Sequence, residues 1–314
     1  MKMHKSSCFV LSGLLGLFVA PPLAQAGCNN ASVILTPPGY VFNINPSPQL
    51  SVAVTRADNG DCRYFIGFSN GRAPTYALRR LELGAATIPL NIYKDAAHTR
   101  ILKDKPVEAI SADDVLYGQF VGGPGSNTQT LNYWAGISPG SDYSLAGIYL
   151  ESITANLYSG SVTGSYHFES SSPLVFAYYV PMRVDLSIVD TGAPFNLNSL
   201  SQDLNFGTLA TGQTRTLDLV LQYNAGFRLS FSSENNGVLK HSTRANAISY
   251  GFQLAGTPVS LNGSATHPIE AANGNGVSPA SGARYPLRVT IGSIANAVAG
   301  AYFDNITITV VSAD

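Results

Sequence analysis

Charge is scarce in this chain. Only 12% of its 314 residues are Asp, Glu, Lys or Arg, with 18 basic residues against 19 acidic ones. Setting aside Lys2 and Lys5 leaves 16 basic residues (18 − 2) and a balance of −3 (16 − 19). No basic patch is present, which excludes nucleic acid as a partner. Cysteine is rarer still, at three, and Cys8 lies in the N-terminal leader. The remaining pair, Cys28 and Cys62, makes a poor zinc site. His98, His167, His241 and His267 are scattered without ligand spacing, and no paired carboxylates or Ser-His-Asp grouping stand out. Gly122-Gly-Pro-Gly-Ser126 lacks the Lys and the following helix of a phosphate loop. These absences lead us to expect no catalytic, cofactor-binding or metal-binding residue, and no enzyme.

Long apolar runs are also missing, with one exception at the start. Lys2 and Lys5 precede the run Phe9–Ala20, then Pro-Pro-Leu-Ala-Gln-Ala26 ahead of Gly27. That is the pattern of a secretory signal peptide over residues 1–26, since the run is shorter than the ~20 residues that span a bilayer. Export to an oxidising compartment makes a Cys28–Cys62 disulfide the default for the mature chain.

Glycine and proline, at 30 and 18 residues, are plentiful, and no helical period appears anywhere. Short alternating apolar runs separated by turn residues predict antiparallel strands: 31–36, 49–55, 62–69, 76–83, 88–93, 128–137 and 147–158, with a polar stretch to about Gln119. One phrase then returns. Gly147-Ile-Tyr149-Leu-Glu151-Ser-Ile153-Thr is matched at identical offsets by Gly300-Ala-Tyr302-Phe-Asp304-Asn-Ile306-Thr near the C-terminal end. Strands predicted at 216–222, 227–233, 248–254 and 285–291 fill a second copy of the pattern. The expected organisation is all-β, with an N-terminal domain at 27–170, an inter-domain strand at 171–185 and a C-terminal domain at 186–314. Tyr223 stands near the place of Cys62, so the second copy is expected to lack a disulfide.

Cys28 with Cys62, the phrase Leu204-Asn-Phe206-Gly207, the run Phe227–Gly237 and the two Gly-x-Tyr-x-acid closing strands together resemble the spore coat protein U domain family. These are the pilin modules of archaic chaperone–usher pili. The resemblance implies two immunoglobulin-like pilin-type antiparallel β-sandwiches in tandem, the second an incomplete sandwich lacking its final strand. It also implies partners: a periplasmic chaperone, an outer-membrane usher, and a next pilus subunit that donates a strand to the second domain. On this likeness the chain resembles a two-domain tip adhesin, exported through the periplasm to a pilus tip at the cell surface and bound there to an unknown surface or receptor. A structural coat protein and a free-standing secreted carbohydrate-binding module are the alternatives.

Specific residues follow. Leu174, Phe176, Tyr178 and Val180 form one apolar face of the run between the copies, and are candidates to complete the first domain's groove in cis; Thr163–Phe168 is the alternative. Ile306, Ile308 and Val310 are expected to line the acceptor groove of the second. Tyr40, Phe42 and Tyr143 in loops and Trp134 on a strand are candidate surface-binding aromatics. Tyr149, Tyr302, Glu151 and Asp304 recur in both copies and are read as architectural.

Overall fold

The computed structural model describes residues 28, 31–36, 39–42, 48–105, 109, 111–123, 127–137 and 144–313. Among these there is no α-helix, only two 3-10 turns and twenty strands, and the strands fall into two groups that share no ladder. The predicted leader, residues 1–26, lies outside the described residues.

The first group comprises β1 (Ser32–Thr36), β2 (Gly39–Phe42), β3 (Gln49–Thr55), β4 (Cys62–Phe68), β5 (Arg80–Leu83), β6 (Ala86–Tyr93), β7 (Leu116–Phe120), β8 (Thr128–Ile137), β9 (Gly147–Gly160) and β10 (Tyr166–Val180). One layer has the order β1-β3-β8-β6 and the other β7-β4-β9-β10-β2, with β5 linking β6 to β9 at a single rung. Every ladder is antiparallel except that between β10 and β2. Period-2 alternation explains the layers: Val52, Val54, Tyr64, Ile66, Tyr133, Ala135, Tyr149, Ile153 and Leu157 all point between them and are fully or nearly fully buried. Cys28 and Cys62 are bonded in this core, at the end where β4 begins.

The second group comprises β11 (Val184–Asp190), β12 (Thr214–Tyr223), β13 (Gly226–Ser233), β14 (Val238–His241), β15 (Ala247–Leu254), β16 (Thr257–Pro258), β17 (Ile269–Gly274), β18 (Ala283–Ile291), β19 (Tyr302–Phe303) and β20 (Ile306–Ala313). One layer runs β11-β12-β18-β15-β14-β19 and the other β17-β13-β20. The correspondence is close. β11-β12-β18-β15 repeats β1-β3-β8-β6, and β17-β13-β20 repeats β7-β4-β9. The positions held by β10 and β2 in the first group have no described strand in the second. Both groups are thus immunoglobulin-like sandwiches, and the second is incomplete.

Several boundaries differ from those expected of the sequence. Tyr76–Leu78 is a 3-10 turn, and the strand starts only at Arg80, because the Leu78 and Arg79 amides turn back to the Thr75 and Tyr76 carbonyls. The polar stretch to Gln119 hides β7, whose Gly118 allows the Tyr64 ring to lie against its backbone. Residues 171–180 belong to the first sandwich rather than running between the two. Matching β4 to β13 by their rungs, with Phe68 opposite Ala155 and Phe231 opposite Ile308, puts Ala225 and not Tyr223 in the place of Cys62. Tyr223 instead packs on Phe227, with ring centroids 4.6 Å apart.

At the junction Asn224 is fully buried and saturated. Its side chain accepts from the Arg183 amide at 2.7 Å and donates to the Pro181 carbonyl at 2.9 Å. Its backbone carbonyl accepts from the Ala146 amide at 2.8 Å, joining the start of β9 to the second sandwich.

Candidate functional site

The recurring phrase has a physical explanation in each copy. Gly147 and Gly300 take φ of 139° and 150°, where a side chain would be strained and would collide with Leu83 or His241. Two residues on, Tyr149 donates its hydroxyl to the Leu145 carbonyl at 2.8 Å, and Tyr302 donates to the Val298 carbonyl at 3.0 Å. Each hydroxyl thus reaches four residues back, the arrangement known in such sandwiches as a tyrosine corner. Burial pushes the Tyr149 hydroxyl above its ordinary pKa. The acids also share a task. Glu151 accepts from the Arg72 amide at 3.3 Å, and Asp304 from the Asn235 amide at 3.0 Å; each amide is four residues past its matched Phe68 or Phe231. Asp304 additionally accepts from the Ser233 and Tyr250 hydroxyls, both at 2.6 Å.

With the corner and the acid aligned, the two closing strands can be compared position by position. β9 is continuous over Gly147–Gly160 and is paired with β4 on one edge and with β10 on the other. Its inward residues Ile153, Ala155 and Leu157 are 0% exposed. The matching stretch of the second sandwich is broken into β19 and β20, and β20 pairs only with β13 among the described residues. Its inward residues Ile306, Ile308 and Val310 are only partly buried on the core. Val184 and Leu186 on β11, Leu204 and Phe206 ahead of β12, and Tyr285 on β18 are likewise partly buried there. Burial pushes the Tyr285 hydroxyl pKa up. The second core is therefore open along one side, between β20 and the chain of β11 and its successor. In an antiparallel ladder alternate residues turn their N–H and C=O groups away from the partner, so the free edge of β20 presents unsatisfied backbone over ~26 Å at ~3.3 Å per residue. Val184 and Leu186 were not among the residues the sequence singled out, although their alternation with Ile188 carried the signal.

A family model for the spore coat protein U domain matches residues 22–156. Over that stretch the chain is similar to the spore coat protein U domain. The matched stretch ends within β9, so β10 lies beyond the part of the first sandwich that the spore coat protein U model describes. No curated protein sequence matches the chain significantly. Among solved structures it is similar to the CsuC–CsuE chaperone–tip adhesion subunit pre-assembly complex of Acinetobacter baumannii, at 14% identity over 89% of this chain and 99% of that one, with a TM-score of 0.39. It is also similar to the CupB6 tip adhesin of Pseudomonas aeruginosa, at 12% identity over 84% of this chain and 85% of that one, with a TM-score of 0.41. A third is the CooA pilin subunit of enterotoxigenic Escherichia coli, at 12% identity over 48% of this chain and 98% of that one, with a TM-score of 0.27.

Within the first sandwich and its added strand, the remaining candidates fall as follows. Leu174, Phe176 and Val180 on β10 are 1%, 0% and 6% exposed in the first core, and Tyr178 packs partly buried against it. Tyr166 and Phe168, at the start of β10, instead point outward and are about half exposed, in edge-on contact with Tyr158. Tyr133 is buried, leaving Trp134 half-buried on the opposite face of β8. The side chains of Tyr40 and Phe42, and Tyr143 altogether, lie outside the described residues. Ala146, three residues past Tyr143, sits against Asn224 at the junction. The opposite pole, remote from the second sandwich, carries the turns at 56–61 and 161–165 and the exposed Val121.

No group of three His, Cys, Asp or Glu residues is arranged to hold a metal among the described residues, and no described helix is long and apolar enough to cross a membrane. Gly136-Ile-Ser138-Pro-Gly140 has the spacing of a nucleophile elbow. It follows the antiparallel β8, whereas the elbow requires a strand-to-helix turn. Ser138 itself lies outside the described residues.

Proposed function

We propose that this chain is a tip adhesin subunit of a chaperone–usher pilus, mediating surface attachment and biofilm formation, and assembled by donor-strand complementation through its second sandwich. The observation that carries this reading is the contrast between the two closing strands. Ile153, Ala155 and Leu157 are sealed under β10, while Ile306, Ile308 and Val310 in the same places have no described strand on the edge away from β13. A closed first sandwich is free to face outward. An open second sandwich calls for a strand in trans, first from a periplasmic chaperone and then, at the usher, from the next subunit. On this reading β10 is the first sandwich's own donor, supplied in cis by Leu174, Phe176, Tyr178 and Val180. Attachment falls to the pole of the first sandwich away from the junction, where Val121 is 72% exposed.

The test is co-purification of the protein from periplasm with and without a cognate chaperone. Accumulation only as a one-to-one complex, with the chaperone displaced by a pilin N-terminal peptide, supports the reading. A stable lone monomer indifferent to such a peptide overturns it.

A further inference from the structure

β10 changes face part-way along its length. Leu174, Phe176 and Val180 go into the first core, whereas Tyr166 and Phe168 at its start are 44% and 49% exposed on the outer face of the layer. The cause is a bulge. Phe168 pairs with Tyr158 and Ser170 with Leu157, so Glu169 is an extra residue in the strand. Without it, the alternation of Leu174, Ser172 and Ser170 would carry Phe168 and Tyr166 inward. Two large aromatic residues that a regular strand would bury are thus delivered to the surface. The face that receives them is already aromatic. Phe65 on β4 and Tyr158 on β9 are buried and stack with ring centroids 5.0 Å apart. Tyr166 stands edge-on to both, at 6.1 Å and 5.6 Å, and Phe168 edge-on to Tyr158 at 5.8 Å. These contacts hold the two outer rings in place without covering them.

Two cations border the rings. The Lys105 ammonium lies over Tyr166, 5.8 Å from the ring centroid, and donates to the Ala109 carbonyl at 3.4 Å. Arg63, exposed on β4, comes one residue before the Tyr64–Ser159 rung, which sets it across from Gly160, and Gly160 is paired in turn with Tyr166. Gly160 puts no side chain between them, and a Cβ there would meet the Ser165 carbonyl oxygen. Arg63 and Tyr166 are therefore ~10 Å apart at Cα, two interstrand spacings. The acid beside the rings, Asp104, is buried and accepts from the Tyr158 hydroxyl and the Asn156 side-chain amide. We infer that Tyr166, Phe168, Arg63 and Lys105 form a binding site for an acidic carbohydrate, its ring packed on the two aromatic side chains and its carboxylate held by the two cations. Aromatic faces carry partial negative charge and attract the C–H groups of a sugar ring, while guanidinium and ammonium match a carboxylate. A bare apolar surface pressed on the same face would desolvate both cations and give them no partner. The site adjoins the 161–165 turn at the far pole, and its part in attachment rests on the adhesin reading above.

The test uses the full chain purified from periplasm, alone or chaperone-bound as it accumulates, with immobilised alginate, a polyuronate, as the probe and neutral dextran and polystyrene as comparators. At neutral pH the protein should bind alginate about tenfold more tightly than dextran, and the preference should shrink as salt is raised. Phe168→Ala and Tyr166→Ala should each weaken alginate binding about tenfold, and Arg63→Gln and Lys105→Gln about fivefold. Tyr117→Ala, which alters an exposed aromatic at the other edge of the same face, should leave it unchanged. Arg63→Gln and Lys105→Gln remove charge from surface side chains without opening a core, so they test the site even where an aromatic variant folds poorly. No binding to alginate, equal binding to dextran, or indifference to Arg63→Gln and Lys105→Gln would overturn the inference. Polystyrene adsorption lost in Phe168→Ala without any alginate binding would overturn it as well, and would assign the rings to plain apolar contact. Each of these outcomes is separate from co-purification with a chaperone, which alone decides whether the adhesin reading survives.

Discussion

One substitution can be made twice in this chain, in a closed setting and in an open one. Ile153 and Ile306 occupy the same place in the repeated phrase, but Ile153 is 0% exposed with Leu174 opposite it, while Ile306 is partly exposed with no described strand on its free side. Ile153→Ala removes apolar atoms from a sealed core and leaves a cavity, an expected loss of ~3–4 kcal/mol. Ile306→Ala removes atoms that already touch solvent and leaves an opening instead of a void, an expected loss of ~1–2 kcal/mol. Amide exchange under denaturant, read on β4 and β9 for the first sandwich and on β13 and β20 for the second, assigns each loss to its sandwich. On the proposed function a strand fills this slot, the open side of the second core, and covers the surface of Ile306 still exposed, so Ile306→Ala should weaken that strand's binding roughly tenfold. Equal losses for the two substitutions with the slot empty would refute the idea that the second core is open.

Three further outcomes are expected. Asp304→Ala strands the Tyr250 and Ser233 hydroxyls and the Asn235 amide, and should cost the second sandwich ~2–4 kcal/mol by denaturant titration, with Asp304→Asn recovering part. Cys62→Ser opens a loop with a sequence separation of 34 and should destabilise the first sandwich alone, by ~3–4 kcal/mol on the chain-entropy account. Burial raises the pKa of Asp104 above its usual 3.8, despite hydrogen bonds from Asn156 and Tyr158. The folded chain therefore holds that proton more tightly than the unfolded one, so the contribution is favourable at acid pH and is lost as pH rises from 3.8 through the raised value. Asp104→Asn should flatten that decline in a stability-against-pH series.

Much of the fold was legible because period-2 alternation survives wherever one strand face is buried. Gln49–Thr55, Thr128–Ile137 and Ile306–Val310 all read that way, and the repeated phrase showed that one sandwich had been built twice. What escaped was set by contacts distant in sequence. β7 and β17 lie at the edges of their layers, where only one neighbour imposes a pattern. The architectural reading of Tyr149 and Tyr302 needed only their recurrence, but the reach of each hydroxyl to a carbonyl four residues back is a matter of three-dimensional geometry. The candidates for surface binding at Tyr40, Phe42 and Tyr143 were chosen from loop composition, which cannot tell one pole of a sandwich from the other. The ladders place the end of β8 and the start of β9 at the junction, and the turns at 56–61 and 161–165 at the far pole.

The phrase is present in both sandwiches although only one has a described strand on its outer edge, and this separates two roles. Gly, Tyr and acid fix the closing strand to its own corner and to the loop after β4 or β13, and none of these contacts involves β10. The closing strand can therefore be specified without its neighbour. What β10 adds is burial: Leu174, Phe176 and Val180 go into the core, at ~1.5–3 kcal/mol each, or roughly 5–9 kcal/mol together. That is comparable to the whole net stability of a typical domain, ~5–15 kcal/mol. A sandwich that lacks this contribution is correctly shaped but marginal, and a strand that supplies it contributes to folding and to binding by the same contacts. The first sandwich, with its own β10 and its disulfide, has that contribution built in; on the proposed function the second obtains it from a strand that comes to it.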